Sequence, residues 1–235
     1  MKQVWIIIMA VMFIVSGSNI GEAKSHYKIK HKDQITHDWE IHVDYPLFDQ
    51  LEDKDLQQEV NTKIVQKLES TFRDVKRGAS DLMGMPVLYY EETGVYREKD
   101  LYSVVMTSHI SRGEQYNSTV TSVNFENKDH GKVVPLNKLV DMEELNQRVQ
   151  KAIAQEPDTY NKEKFTKVRD NTAFYVADDQ LFLIFNKYEI AAGVHGTPEI
   201  QIPLNGMQLE HADETNAPFP SFTLKYPQTI QAENS

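Results

Sequence analysis

From Trp39 the chain alternates: Trp39, Ile41, Val43 and Tyr45 are apolar or aromatic, and Glu40, His42 and Asp44 between them are polar. Successive side chains of a strand point to opposite faces, so this period of two predicts a half-buried strand with one wet face, ended by Pro46. The period then changes. Leu56, Val60, Ile64, Leu68, Phe72 and Val75 recur every three or four residues, which is the apolar stripe of an amphipathic helix. Asp55-Leu56-Gln57-Gln58 supplies a cap with its reciprocal residue three along, and Gly78 a stop.

Between Pro86 and Val134 the texture turns β-branched and aromatic in VLYYEETGVY, DLYSVVMTSHI, NSTVTSVNF and KVV, punctuated by Gly94, Arg112-Gly113 and Asp129-His130-Gly131. Such runs predict a meander of antiparallel strands. A second helix follows, with Asp141 and Glu144 as its capping box, Leu145, Val149, Ala152 and Ile153 as its buried stripe, and Pro157 closing it. A weaker helical segment is expected around Phe165. TAFYVADDQLFLIFNKY then reads as a hairpin turning at Asp178-Asp179, and a glycine-bearing loop leads to a last strand, EIQIPL. The order predicts an α+β fold: an antiparallel β-sheet with two long helices packed on one face. No internal repeat or long linker divides the chain. Residues 24–210 are expected to form a single module, with halves at about 35–135 and 136–204, followed by an extended or mobile tail at 211–235.

The N-terminus adds a targeting expectation. Lys2, twelve apolar residues from Val4 to Val15 and a small, polar stretch closing on Gly21-Glu22-Ala23 make the three parts of a secretory signal, residues 1–23. A membrane-spanning helix needs about 20 apolar residues. A signal cleaved after Ala23 is therefore expected, with no membrane span in the mature chain, and a retained anchor is the alternative. Lys2 and Glu22 leave together, so the secreted chain keeps the net charge of -10. With no cysteine, it has no disulfide, thiol nucleophile or thiolate metal site, and burial alone must hold it. The acidic balance without a basic stripe argues against nucleic acid and suits a basic partner.

Familiar catalytic patterns are missing. There is no G-x-S-x-G nucleophile elbow. The nearest approach to H-E-x-x-H is His37-Asp38-Trp39-Glu40-Ile41-His42, on a strand where positions five apart face opposite ways. His26, His31, His37 and His42 crowd the N-terminal region without the convergent spacing a metal site needs. Asp33, Asp38 and Asp44, or Asp178 and Asp179, could in principle pair for glycoside cleavage; solvated acids and a hairpin turn are the simpler reading. Asn117-Ser118-Thr119 fits N-glycosylation, which matters only in a eukaryotic secretory pathway. Gly193-Val194-His195-Gly196 is too short and too far from a helix start to cradle phosphate. No catalytic residue, metal ligand or cofactor is assigned.

Read from Phe174, FYVADDQLFLIFNKYEIAAGVHGTPEIQIP resembles the C-terminal signature of a family of extracytoplasmic bacterial domains. It is the module of lysozyme-sensing anti-sigma factors (the RsiV type) and of certain peptidoglycan deacetylases (the PdaC type). The residues that carry the resemblance are Tyr188, Glu189, Ile190, Ala191, Gly193, Gly196, Pro198, Glu199, Ile202 and Pro203. The strand WEIHVDYP before a long helix containing Asn61 extends it to roughly Ile35–Leu204. Only the short signal precedes this module and some thirty residues follow Pro203, so neither sigma-binding nor deacetylase parts are expected. In the turn, Ala192 and Val194 stand where the sensors carry a proline and an aromatic residue.

The resemblance implies a secreted, non-catalytic binding module of a Gram-positive cell envelope, recognising cell-wall glycan (peptidoglycan) or a basic wall-directed protein such as lysozyme. Its ligand contacts would be Tyr188, Ala192, Val194, His195, Thr197 and Glu199, on a turn shaped by Gly193, Gly196, Pro198 and Pro203. A small wall-active hydrolase using an unrecognised carboxylate pair, or a structural envelope protein with no soluble ligand, are the alternatives. Exported protein is expected to begin at Lys24; mass analysis of its N-terminus from culture medium checks this, and an intact Met1 on membrane-bound protein would contradict it.

Overall fold

In the computed structural model, which describes residues 26–79 and 86–209, the alternating segment is an inner strand of a five-stranded sheet. The expected signal at 1–23 and tail at 211–235 lie outside the described residues. The first half forms β1 (Tyr27–Ile35), β2 (Trp39–Phe48), α1 (Lys54–Ala79), β3 (Val87–Glu98), β4 (Leu101–Arg112) and β5 (Gln115–Glu126). The second forms a one-turn helix α2 (Leu136–Leu139), α3 (Met142–Gln155), β6 (Ala173–Ala177), β7 (Gln180–Ile184) and β8 (Glu199–Pro203).

The α+β class is as expected, with a finer arrangement than a single antiparallel sheet. There are two sheets, in the orders β1-β2-β3-β4-β5 and β6-β7-β8. All neighbours are antiparallel except β2 and β3. Those two are parallel because α1 carries the chain back to the starting end between them, as a parallel connection requires. The long helices do not share a face. The stripe of α1 packs with Ile41, Val43, Tyr89, Val104 and Phe125 of the large sheet, whereas Leu145, Val149 and Ile153 of α3 pack with Phe174, Val176, Leu181 and Ile202 of the small one. The other faces of the two sheets meet through Val105 and Val120 against Ala173, Tyr175 and Ile184. The layers thus run α1, large sheet, small sheet, α3. Among the described residues no helix is long and apolar enough to cross a membrane.

Several local expectations shift by a few residues, each for a visible reason. Asp53, not Asp55, caps α1, its carboxylate accepting from Asp55 N (2.8 Å) and Leu56 N (3.1 Å). Asp141 caps α3, accepting from Glu143 N (2.8 Å) and Glu144 N (2.9 Å). The reciprocal half of that box does not close, because Asp141 N already donates to Met207 O (2.8 Å) and Glu144 pairs with Arg148 (2.7 Å). Pro46 does not end β2. The pairing of β2 with β3 stops at Val43, so the proline lies where no ladder bond to β3 is needed, opposite Ile29. Gly94 is no turn either: it lies inside β3, opposite Val105. The segment around Phe165 is not helical; Phe165 instead sets its ring edge-on to Phe185 at 6.2 Å. β1 had no counterpart among the expected strands, and Asn61 of α1 has a definite task, its amide accepting from Phe48 N and donating to Phe48 O (both 2.8 Å) as a neighbouring strand would.

One acid is buried in the α1 face. Glu91 is 7% exposed; it accepts hydrogen bonds from the Tyr89 hydroxyl and from Ser108 Oγ (2.7 Å), and its Oε1 has no partner. Burial pushes its carboxyl from an ordinary 4.5 up to about 7, against the two hydrogen bonds that favour the charged form. With the folded value above the unfolded one, this site's contribution to stability is fully present below about 4.5 and is lost as pH rises through about 7. Glu91→Gln is expected to gain stability relative to the parent by a few kcal/mol between about pH 5 and about pH 8. Denaturant unfolding of both proteins at both pH values checks this; parallel pH profiles would contradict it.

Candidate binding site

The small sheet covers only part of the large one. It lies over the end of the large sheet that carries Tyr96, stacking Tyr175 on Tyr96 (ring centroids 3.8 Å apart) and Phe182 on Tyr175 (4.6 Å). Toward the other end of β3, β4 and β5, and across β1 and β2, the same face carries polar and aromatic side chains, Tyr90, Tyr116 and Leu88 among them exposed. Alternation and register place Asp33, His42, Tyr90, His109 and Ser118 in one row, each opposite the next on adjacent strands. Glu40, Leu88, Ser111 and Tyr116 form the row beside it.

The β3–β5 end of this face is aromatic. Tyr90 stacks on His109 (4.4 Å, 17°), and the Tyr116 ring lies nearly parallel to His109 at 5.9 Å. Tyr116 Oη and His109 Nδ1 are hydrogen-bonded at 2.6 Å, Tyr116 Oη and Tyr90 Oη at 3.1 Å, and His109 Nδ1 also meets Ser118 Oγ at 2.9 Å. The bond to Tyr116 raises the pKa of Tyr90 above the usual phenol value. The shelf is consequently a linked unit, yet Tyr90, Tyr116 and Leu88 remain about two-fifths exposed.

The loop after β7 forms one wall. Asn186 Oδ1 accepts from Val120 N (2.8 Å) and Lys187 N donates to Ser118 O (3.0 Å), which pins the loop to β5. Lys187 Nζ lies 4.2 Å above the Tyr116 ring and 5.1 Å from that of Tyr188. Tyr188 has a positive φ of 68°, which a bulky side chain rarely adopts. Its half-exposed ring lies over Gly193, where a Cβ would fall 2.1 Å from Tyr188 Cε1. Between this wall and the strands is an open groove of about 650 Å³, lined by Ile110, Arg112, Tyr116, Asn117, Lys187 and Tyr188, with Glu114 and Gln115 at the β4–β5 turn.

The other loop residues singled out from the sequence do not converge on this groove. Ala192 lines a separate hollow against Pro157–Lys164. Val194 is 88% exposed, and His195 is exposed at the end of a single 3-10 turn, Gly193–His195. Thr197 is half-buried, and Pro198 is buried with its carbonyl accepting from Phe185 N (2.9 Å). Glu199 opens β8 beside Tyr175, and burial raises its pKa. Pro203 closes β8, its carbonyl accepting from Arg148 (2.8 Å). Of the proposed contacts, Tyr188 alone reaches the tyrosine shelf; Tyr90, His109 and Tyr116 were not anticipated. Their only sequence signal is the alternation within LYYEE and YNSTV, which says nothing of which strand lies beside which.

On β1 and β2 the same face is ionic. Asp44, His31, Asp33, His42 and Glu40 form a chain: His31 bonds Asp44 (2.6 Å) and Asp33 (2.7 Å), and His42 bonds Asp33 (2.7 Å) and Glu40 (2.8 Å). Carboxylate oxygens only accept, so all four bonds require both rings to be doubly protonated. The imidazole pKa values are accordingly raised, His31 mainly by Asp33 and His42 mainly by Glu40, and Asp33 is held down mainly by His31. Among the described residues no three His, Cys, Asp or Glu side chains are placed to hold a metal ion.

Residues 136–205 match the model of a protein family of unknown function, DUF3298. That stretch contains α2, α3 and the whole small sheet. No curated protein matches the chain. The fold is similar to the crystal structure of a DUF3298 family member from Bacteroides fragilis, with a TM-score of 0.58 and 13% identity, covering 78% of this chain and 93% of that one. At that identity the likeness is one of fold.

The two glycines of the loop should respond differently to substitution. Gly193→Ala is expected to displace the Tyr188 ring, seen as shifted Tyr188 and Lys187 resonances. Gly196 has a φ of 63° with nothing within 4 Å of its missing Cβ, so Gly196→Val is expected to lower stability by about 1–2 kcal/mol and leave Tyr188 in place. Unmoved Tyr188 resonances in Gly193→Ala would contradict the packing described.

Proposed function

We propose that this chain is a secreted, non-catalytic binding module of a bacterial cell envelope whose tyrosine shelf takes a glycan. The observation that carries the reading is the uncovered sheet end, where Tyr90, Tyr116 and Tyr188 stay exposed while held by His109, Lys187 and the Gly193 turn. The C–H face of a pyranose ring is weakly positive and packs well on the negative face of an aromatic ring. An open groove with a few placed polar groups suits a chain of sugars. Loops pinned to a rigid sheet are common places for ligand contacts. The resemblance of the C-terminal half to modules of lysozyme sensors and peptidoglycan deacetylases supports the envelope setting, and the signal pattern supports secretion after cleavage at Ala23. As for catalysis, Asp33 and Asp44 are both engaged by His31, and Asp178 and Asp179 form the β6–β7 turn with φ of 51° and 57°.

A basic wall-directed protein such as lysozyme is the second reading. It is favoured by the net charge of -10 and by Asp33, Glu40, Asp44 and Glu92 on the β1–β3 part of the uncovered face.

Calorimetry with purified peptidoglycan fragments and with lysozyme, at low and high salt, separates the two readings. Glycan binding should resist salt, and Tyr116→Ala and Tyr188→Ala should each weaken it by roughly tenfold, about the energy of one aromatic contact. Unchanged affinity in both variants would sink the shelf as the site. Cleared glycan in a zymogram would overturn the non-catalytic reading.

A further inference from the structure

We infer that the groove beside Tyr116 selects a sugar acid, a pyranose bearing a carboxylate, with the ring packed against the exposed parts of Tyr116 and Tyr188 and the carboxylate at Lys187 Nζ. The inference rests on the glycan reading and makes it specific. Lys187 is the central observation. Its ammonium is held between two tyrosine rings at 4.2 and 5.1 Å and gives one hydrogen bond, to Tyr116 O at 3.3 Å. An ammonium has three donors. Among the described residues no carboxylate pairs with it, in contrast to Lys28, which pairs with Asp49 (2.6 Å), and Lys32, which pairs with Glu69 (3.3 Å).

The local balance of charge runs against that of the whole chain. Acids outnumber bases by ten overall, but the groove is lined by Arg112 and Lys187 against the single acid Glu114. The Arg112 guanidinium lies against the last turns of α1, its Nη2 3.4 Å from Asp74 O, and no carboxylate pairs with it among the described residues. It therefore leaves a positive charge bordering the groove that is not tied to an acid. The tyrosine rings flanking Lys187 displace part of its water, and a less hydrated cation attracts an incoming anion more strongly. A neutral sugar would use the rings and leave the ammonium without an anionic partner. A simple inorganic anion would use the ammonium and leave the rings bare. A carboxylated pyranose uses both.

The test uses the full chain and two matched probes, a glucuronate-containing oligosaccharide and the neutral glucose oligosaccharide of the same length, titrated by calorimetry. The acid is expected to bind at least about tenfold more tightly at low salt, with the margin narrowing as salt is added. Lys187→Met should bring the two affinities to within about twofold, and Lys187→Arg, which keeps the charge, should retain the preference. Amide shifts on binding should centre on Tyr116, Asn117, Lys187 and Tyr188. Equal binding of both sugars by the parent chain, or a preference that survives Lys187→Met, would overturn the inference and leave the glycan reading standing. No binding of either sugar would overturn both.

Discussion

The stack of Tyr96, Tyr175 and Phe182 between the two sheets is the contact from which the rest of the molecule follows. With centroid spacings of 3.8 and 4.6 Å and interplanar angles of 14° and 2°, it fixes the small sheet over one end of the large sheet. Three short strands cannot cover five long ones. The mismatch in length leaves the far end of β3, β4 and β5 without a roof, and the side chains there are those that tolerate water on one side: tyrosine, histidine and serine. The shelf and the packing between the sheets thus belong to one face of the same strands.

Polar groups are treated differently on the two faces of the large sheet. On the α1 side, Glu91 is closed in with Tyr89 and Ser108, and burial favours its neutral form. On the open side, five ionisable groups of β1 and β2 alternate in sign and satisfy one another in contact with solvent. Exposed ion pairs stabilise little individually. Here they span two strands, and they fasten a β1 whose own side chains contribute little apolar burial, since Ile29 and Ile35 are both more than half exposed.

What could be read from the sequence divides along physical lines. Local periodicity is a property of one segment, so all six predicted apolar positions of α1 are buried. The Asp178-Asp179 turn was legible for the same reason, being set by the residues themselves. β1 was not legible, because Lys28, Lys30, His31 and Lys32 mask any apolar alternation. The end of β2 was misplaced at Pro46 because the cost of a proline depends on whether a neighbour needs its missing N–H. Tyr188 could be singled out from the loop sequence, but its partners could not. Tyr90, His109 and Tyr116 come from three strands, and only the register that aligns Tyr90 with His109 and His109 with Ser118 brings them together. The division into two sheets was hidden likewise, since a strand carries no mark of the sheet it will join.

The attachment of the loop after β7 has a consequence for the edge of the large sheet. Tyr116 O, Ser118 O and Val120 N of β5 are taken by Lys187 and Asn186, and farther along Asn124 O and Glu126 N are taken by Val134 N and Lys132 O. An exposed strand edge ordinarily invites another chain to pair with it. Here the outward backbone groups of β5 are spent within the molecule at both ends, and the opposite edge, β1, carries Lys28, Lys30 and Lys32, charges of the kind that discourage such pairing. Strand addition at β5 is closed off, so whatever this domain meets on that side it must recognise through side chains rather than by lengthening its sheet.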